Sequence, residues 1–422
     1  MSVWPLPRIT TRELSSIEEK RPVALLTNQE TWAVLSSQLT LPVVIQAEPE
    51  RYDRALFDYL ADNLPSAVQA VYAVGEGAAQ EAAKIVAGRN RKPLIIIPTA
   101  LDSDAMLRPA ARVQGQDGAE PRLIWQETSP AAEIIVDWGI IHAAPSSRRG
   151  VGIVDVISIV TALLDWRHAA QKGKNPPEQR FAPWAASVAA GLASHAIKSA
   201  AAIGQGHVEA LRTLLDLMML AVQLDNQLGH ARAQAGGEHY LAQALLAQDG
   251  SGLHPAEALG PCILLLSALH GQDPAALRAA LESAGVPLDR LRATDVRLVL
   301  NDWPRYVDAY DFPYSLLSEI DPASDEVRRA LETAGLAIEP ETWLVPDGDT
   351  PTETDNRHDP PPLQPVAPEQ PAAPPSAEAQ PLPEERPAGE DATRRAPLEG
   401  DVPEETGEIR PASDPFSPRP NS

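Results

Sequence analysis

The sequence has a single cysteine, Cys262. No disulfide can form within the chain and no cysteine-based zinc ribbon can be built, and a lone thiol fits a reducing compartment. No apolar run reaches the length that spans a bilayer, and the N-terminus lacks the basic-then-apolar pattern of a signal peptide. A cytoplasmic protein without a membrane span is therefore expected. Basic residues are scarce: 35 Lys and Arg stand against 58 Asp and Glu, a formal net charge of -23. Such a balance argues against nucleic acid as a partner.

Proline is abundant, with 42 in 422 residues, and it crowds toward the end. From Pro346 onward the chain is a mixture of Pro, Glu, Ala and Asp, as in Pro360-Pro361-Pro362-Leu363 and Glu384-Glu385-Arg386-Pro387. Roughly half of the negative excess lies there. Such a segment buries too little apolar surface to offset the entropy of ordering, so 346–422 is expected to be a disordered acidic tail.

Up to Gly150, short apolar runs alternate with amphipathic stretches. Val23 to Thr27, Pro42 to Gln46, Ala70 to Val74 and Leu94 to Pro98 each have the length and apolar density of a strand buried on both faces. Helix-like segments lie between them, from Glu30 to Leu39, Arg51 to Leu60 and Ala78 to Ala87. Three further strand candidates, Arg112 to Gln114, Arg122 to Gln126 and Ile134 to Asp137, complete this half. The alternation predicts an α/β, Rossmann-like domain over 1–150 with a mainly parallel sheet, whose ligands bind at the carboxyl ends of the strands. The Val74-Gly75-Glu76-Gly77 and Pro98-Thr99 to Asp104 turns fall at that edge.

After Gly150 the β pattern stops. Val151 to Ala170, Ala182 to Ile203, His207 to Gly229, Glu238 to Ala247, Pro255 to His270, Pro274 to Ala284 and Ser324 to Ala334 read as helices, rich in Ala and Leu. An all-α domain over 151–345 is expected. The stretch Leu214 to Leu220 is apolar nearly all round, the mark of an interior helix.

Within this frame a few residues stand out. His239 and His254 each open a helix just after a glycine-containing turn, where two helix ends can converge on an ion. Asp155 lies in an otherwise apolar stretch, Gly152 to Ser158, where a carboxylate is seldom found unless it is paired or metal-bound. One carboxylate and two imidazoles would hold a metal and leave a position for a substrate oxygen. The plainer explanations are ordinary surface or core histidines, and an aspartate that caps a neighbouring backbone. Asp104 ends a loop of small polar residues, where turn chemistry and a substrate contact are equally good reasons for it. The amides of Gly75-Glu76-Gly77 could meet a phosphate at a helix N-terminus, although a tight strand-to-helix turn explains the glycines equally well and Glu76 would face a pyrophosphate with like charge.

Taken in order, these segments resemble the glycerol-1-phosphate dehydrogenase branch of the superfamily that also holds glycerol dehydrogenases, iron-containing alcohol dehydrogenases and 3-dehydroquinate synthases. Ala73 to Lys84 is similar to its glycine-rich cofactor loop, and Pro98 to Asp104 to its P-T-x-x-S-x-D segment, with Asp102 in place of serine. Gly152, Asp155, Ser158, Thr161-Ala162 and Asp165-Trp166 follow its G-x-G-D-x-x-S-x-x-T-A-x-x-D-W run; Arg232 and Gly236 to His239 follow its R-P-x-S-G-x-E-H. His254 and Leu269-His270-Gly271 echo the segment with the last ligand. The resemblance covers residues 20–300.

It implies NAD or NADP at Gly75, Gly77, Ala78, Thr99 and Ser103, and a divalent metal on Asp155, His239 and His254. Zinc is the usual ion of the family, while the donor set also accepts nickel or iron. Asp104 would orient the hydroxyl groups of a small phosphorylated polyol or ketone, the pair being dihydroxyacetone phosphate and sn-glycerol 1-phosphate. Arg148, Arg149, Lys198 and Arg232 are candidates to hold the substrate phosphate. A homo-oligomer is also allowed. Departures from the family pattern gather on the cofactor side, with Glu76 for glycine, Ala78 for serine and Glu81 for aspartate. The alternative function is therefore a non-catalytic relative that has lost dinucleotide affinity; a lyase of the dehydroquinate synthase type fits less well, since the helix after His239 lacks that branch's basic, histidine-rich pattern.

Overall fold

The computed structural model describes residues 3–115, 122–248 and 252–336. The tail from Pro346 lies outside the described residues, as do residues 337–345 of the expected helical segment. Among the described residues there are eight strands: Arg8–Thr11 (β1), Val23–Thr27 (β2), Val43–Ala47 (β3), Ala70–Val74 (β4), Leu94–Ile97 (β5), Ala110–Gly115 (β6), Arg122–Glu127 (β7) and Glu133–Val136 (β8). Six of them form a parallel sheet in the order β1-β8-β5-β4-β2-β3. β6 and β7 stand apart as an antiparallel ribbon. The chain runs from β2 outward to β3 and returns to the other side of β2 as β4. The strand order therefore reverses between β2 and β4, where open α/β sheets form a crevice.

Side chains alternate across the sheet. Val23, Leu25, Tyr72, Val74, Ile95 and Ile97 pack on one face with Leu35 and Leu39, while Ala24, Leu26, Val71, Ala73 and Ile96 join the larger core on the other. The expectation that Pro42 to Gln46 is buried on both faces does not hold. β3 ends the strand order, so Val43 and Val44 keep 38% and 45% of their surface exposed.

The helices are Gln29–Leu35 (α1), Arg54–Asp62 (α2), Ala78–Asn90 (α3), Trp138–Ala143 (α4), Ser146–Arg149 (α5), Val154–Ile157 (α6), Ile159–Gln171 (α7), Pro183–Gly204 (α8), Val208–Leu228 (α9), Gly237–Leu246 (α10), Pro255–Leu269 (α11), Ala275–Ser283 (α12), Ala293–Asn301 (α13), Trp303–Tyr310 (α14) and Asp325–Thr333 (α15). The helix expected over 151–170 is divided into a 3-10 turn, α6 and α7. Its break at Ser158 lets that hydroxyl donate to the carbonyls of Asp155 and Gln234. The interior helix is α11, with Ala258 to Ser267 buried on every side, whereas Leu220 of α9 is 45% exposed. Among the described residues no helix is long and apolar enough to cross a membrane.

Two close approaches join sheet and helices, which belong to one compact unit. The Gly152 amide donates to the Leu101 carbonyl at 2.9 Å, and a Cβ there would come within 2.8 Å of the Leu101 oxygen and the Ser103 nitrogen. Only glycine lets the start of the helical region press against the loop after β5. Lys84 of α3, fully buried, donates to Glu81 Oε2, Ala105 O and Ala110 O at 3.0, 2.7 and 2.9 Å, which ties that loop and β6 to α3. Removing one partner of a buried ion pair leaves the other uncompensated, so Lys84→Met is expected to cost about 3 kcal/mol of folding free energy by urea denaturation. A loss below about 1 kcal/mol would mean that the hydrogen bonds of Lys84 add little.

Candidate active site

The site lies at the carboxyl edge of the sheet, where the loop after β5 meets α6, α9 and α10. Burial opposes the negative charge of Asp104, but the Arg108 guanidinium and hydrogen bonds from Arg108 and Gln234 hold its pKa below the ordinary carboxylate value. Arg108 grips it as a fork, Nε to Oδ1 at 3.0 Å and Nη2 to Oδ2 at 2.8 Å, while Gln234 Nε2 donates to Oδ2 at 2.6 Å. Arg108 Nη2 also reaches Asp225 Oδ2 at 3.0 Å. Asp104 is thus a fixed anion, suited to accept hydrogen bonds rather than to move protons.

Asp155 accepts the Asp104 amide at Oδ2, 2.8 Å away. The backbone-capping role considered for it is therefore real. Burial, with Asp104 beside it, pushes its pKa up to about 7 against the pull of His239. Asp225 is raised to about 7 as well, first by burial, and its Oδ1 is buried without a partner.

His239 sits on the first turn of α10, the start of which is pinned by Asp165: Oδ2 accepts the Gly237 amide at 2.9 Å and Oδ1 the Leu316 amide at 2.7 Å. Glu238 faces His239 Nδ1 at 3.1 Å through Oε1, which also takes the Gly236 amide. Burial disfavours a charged imidazole, yet Glu238, Asp155 and Asp104 outweigh it and raise the His239 pKa. With Nδ1 engaged by a carboxylate, Nε2 is the nitrogen left to bind a metal, an arrangement in which the outer carboxylate sets tautomer and orientation.

His254 is the N-cap of α11. Its Nδ1 accepts the Ala256 amide at 3.3 Å, and its own amide donates to Glu257. Its Nε2 lies 3.5 Å from Asp102 Oδ2. Asp155 and His239 are thus brought within electrostatic reach of each other, while His254 is turned to Asp102. Among the described residues no group of three or more His, Cys, Asp or Glu side chains is arranged to hold a metal.

On the cofactor side, Gly75 and Gly77 have φ of +118° and +63°, and a Cβ at Gly75 would fall 2.3 Å from Asn28 Oδ1. That Asn28 oxygen accepts the Glu76 amide, closing the turn across the β2–β4 crevice. The turn geometry alone thus requires the first glycine. Glu76 Oε2 is buried without a hydrogen bond, and burial, then Asp102, push its pKa up to about 7, with Arg148 opposing. Ala78 begins α3; Thr99 follows β5; the Ser103 hydroxyl oxygen accepts the Ala105 amide at 3.1 Å. Of the phosphate candidates, Arg232 is buried against Tyr240 and the Tyr314 carbonyl, Arg149 bonds the Ala144 carbonyl, Lys198 is exposed on α8, and Arg148 is near Glu76.

The sequence alone did not point to Arg108, Asp225, Gln234 or the contact of Glu238 with His239. Two had a visible signal. Asp225 is a carboxylate in an apolar helix, as Asp155 is, and Arg108 stands four residues after Asp104.

An iron-containing alcohol dehydrogenase family model matches residues 12–145. The chain is 28% identical over 294 residues to a glycerol-1-phosphate dehydrogenase (NAD(P)+) of Methanospirillum hungatei, covering 68% of this chain and 77% of that one. Enzymes of the same name from Hyperthermus butylicus and Methanothrix thermoacetophila are 34% and 30% identical, over 52% and 57% of this chain and 60% and 64% of theirs. The chain thus spans less than two thirds of the length of those two relatives. Among solved structures, glycerol dehydrogenase from Schizosaccharomyces pombe superposes with a TM-score of 0.57 at 14% identity, over 81% of this chain and 91% of that one. Sulfoacetaldehyde reductase from Bifidobacterium kashiwanohense in complex with NAD+ gives 0.55 at 13% identity, over 78% and 98%. By these likenesses and the motif order of its sequence, the chain is similar to the glycerol-1-phosphate dehydrogenases, and it has the fold of the glycerol dehydrogenases.

Proposed function

We propose that this chain is a metal-dependent, NAD(P)-linked oxidoreductase that interconverts dihydroxyacetone phosphate and sn-glycerol 1-phosphate, working in a reducing compartment in which Cys262 stays free. The observation that carries the reading is the meeting of Asp104, Asp155 and His239 at the carboxyl edge of a sheet whose reversal point holds the Gly75–Gly77 turn. The boundary between a dinucleotide-binding and a metal-binding half falls at Gly150 in this reading, where Gly152 packs on the loop after β5.

The side chains fit a divalent cation by their chemistry. Asp155 supplies a carboxylate, His239 an Nε2 oriented from behind by Glu238, and His254 a second imidazole once its contact with Asp102 is given up. Zinc is the favoured ion, as the family resemblance implies. When bound, the dinucleotide supplies hydride and the cation polarises the substrate carbonyl. The chain's own part is to position. Asp104, held ionised by Arg108 and Gln234, accepts a hydrogen bond from a substrate hydroxyl and so fixes which face of the carbonyl is presented. The fully buried Glu238 keeps the His239 ring in one orientation.

Outer partners of this kind typically change metal affinity by about 10- to 100-fold. Glu238→Gln is accordingly expected to weaken zinc binding by about tenfold in a calorimetric titration, with unchanged affinity as the contrary result. The activity itself is tested by NAD(P)H oxidation with dihydroxyacetone phosphate, run beside unphosphorylated dihydroxyacetone. Turnover of the phosphorylated ketone, with sn-glycerol 1-phosphate as product, is expected. Turnover of neither ketone contradicts the proposal.

A further inference from the structure

One charged cluster beside the site is not used by the chemistry above. Glu81 and Lys84 on α3 form a buried ion pair at 3.0 Å, each side chain 2% exposed. Arg112 of β6 approaches the other Glu81 oxygen, Nε to Oε1 at 3.5 Å. One carboxylate facing two cations leaves a surplus positive charge. Arg112 is held in place by rings rather than by a second anion: its guanidinium carbon lies 5.4 Å from the Tyr52 ring centroid and 5.6 Å from that of Trp125, its cross-strand partner on β7. Among the described residues its terminal nitrogens donate no hydrogen bond. The fork is thus oriented and unspent, with its side chain 12% exposed and its terminal nitrogens open to a ligand, the state in which a guanidinium takes phosphate oxygens in pairs.

Its surroundings say which phosphate. Glu81 is on the first turn of α3, directly after the Gly75–Gly77 turn, and the Tyr52 hydroxyl lies 3.6 Å from where a Gly77 Cβ would be. Besides Glu81, the carboxylates that act on Arg112 are Asp102 and Asp155; Asp102 faces His254 and also acts on Glu76. We infer that Arg112, walled by Tyr52 and Trp125 and set beside the Gly75–Gly77 turn through Tyr52, is a phosphate-binding residue for the pyrophosphate of the dinucleotide. This rests on the cofactor reading made above.

The test is calorimetric titration of the full chain with NADPH, ADP-ribose and inorganic pyrophosphate, for the wild type, Arg112→Gln and Arg112→Lys. A lost charged hydrogen-bonding fork is expected to weaken all three ligands by about 10- to 30-fold in Arg112→Gln, with Arg112→Lys in between. Trp125→Leu, altering a half-exposed wall and keeping the charge, should weaken them severalfold in a protein that melts normally. Wild type and Arg112→Gln binding all three ligands within twofold of each other overturns the inference and leaves the cofactor reading intact. Pyrophosphate bound through Arg112 with no dinucleotide bound supports the role of Arg112 in phosphate binding and overturns the cofactor reading. A KM for dihydroxyacetone phosphate that rises while ADP-ribose affinity holds overturns the assignment to the dinucleotide, placing the fork on the substrate phosphate. Wild type binding none of the ligands overturns both.

Discussion

Asp155→Asn should lower metal-dependent kcat/KM by on the order of 10³-fold, the effect expected when preorganised stabilisation of the developing charge is lost with the ion. The asparagine keeps an oxygen for the Asp104 amide, so the loop after β5 has no reason to move. A second readout separates a metal ligand from a structural carboxylate. The pKa of Asp155 is raised to about 7 by burial and by Asp104, above the ordinary value of about 3.9 of an unfolded aspartate. For a carboxyl raised in this way, its contribution to stability is fully present below the unfolded pKa and is lost as pH rises through the folded one. The metal-free wild type should therefore lose melting temperature between pH 5 and pH 8, Asp155→Asn should lose less over that range, and zinc should restore the wild type alone. Equal zinc stabilisation of both proteins would remove Asp155 from the ligand set.

The second large effect concerns Glu76. Glu76 lies in the Gly75–Gly77 turn, beside Asp102 and within the field of Arg148, and on the proposed reading its carboxyl would face the pyrophosphate. Burial and Asp102 raise its pKa to about 7, so below neutrality the carboxyl is protonated and able to donate a hydrogen bond to a phosphate oxygen. Above neutrality it is an anion facing an anion. If only the protonated form admits the dinucleotide, NAD(P)H affinity should fall roughly 100-fold from pH 6 to pH 9, about tenfold per unit once past the pKa. Glu76→Gly should bind more tightly at pH 8 and show a nearly flat profile, read by NAD(P)H fluorescence. A wild type that binds no dinucleotide even at pH 6, beside a Glu76→Gly that does, would turn the chain into a non-catalytic relative and end the dehydrogenase account.

Much of the fold could be read because buried parallel strands must be apolar on both faces: Val23 to Thr27, Ala70 to Val74 and Leu94 to Ile97 are all strands at those places. The same argument misjudged β3, since an apolar run does not reveal whether a neighbour exists on its far side. β1 escaped notice because Arg8-Ile9-Thr10-Thr11 has one apolar residue, its partner β8 lying 125 residues away. α13 and α14 were hidden by Pro304 and the mixed charge of 293–310. At the candidate site, Asp155 stood out as a carboxylate in an apolar stretch, and Asp104 by its place at the carboxyl edge of the sheet. The contact of His254 with Asp102, and the fork of Arg108 on Asp104 and Asp225, join loops and helices that no periodicity relates. Gln234 is an ordinary polar residue until folding puts it between Asp104 and Asp155.

The most direct measurement is titration of zinc, nickel or iron(II) into chelator-stripped protein while NAD(P)H oxidation by dihydroxyacetone phosphate is followed in the same sample. The account predicts no rate without metal, and a rate that climbs linearly and levels off near one equivalent per chain. A full rate in the stripped protein, or none at saturating metal and cofactor below pH 7, would contradict it.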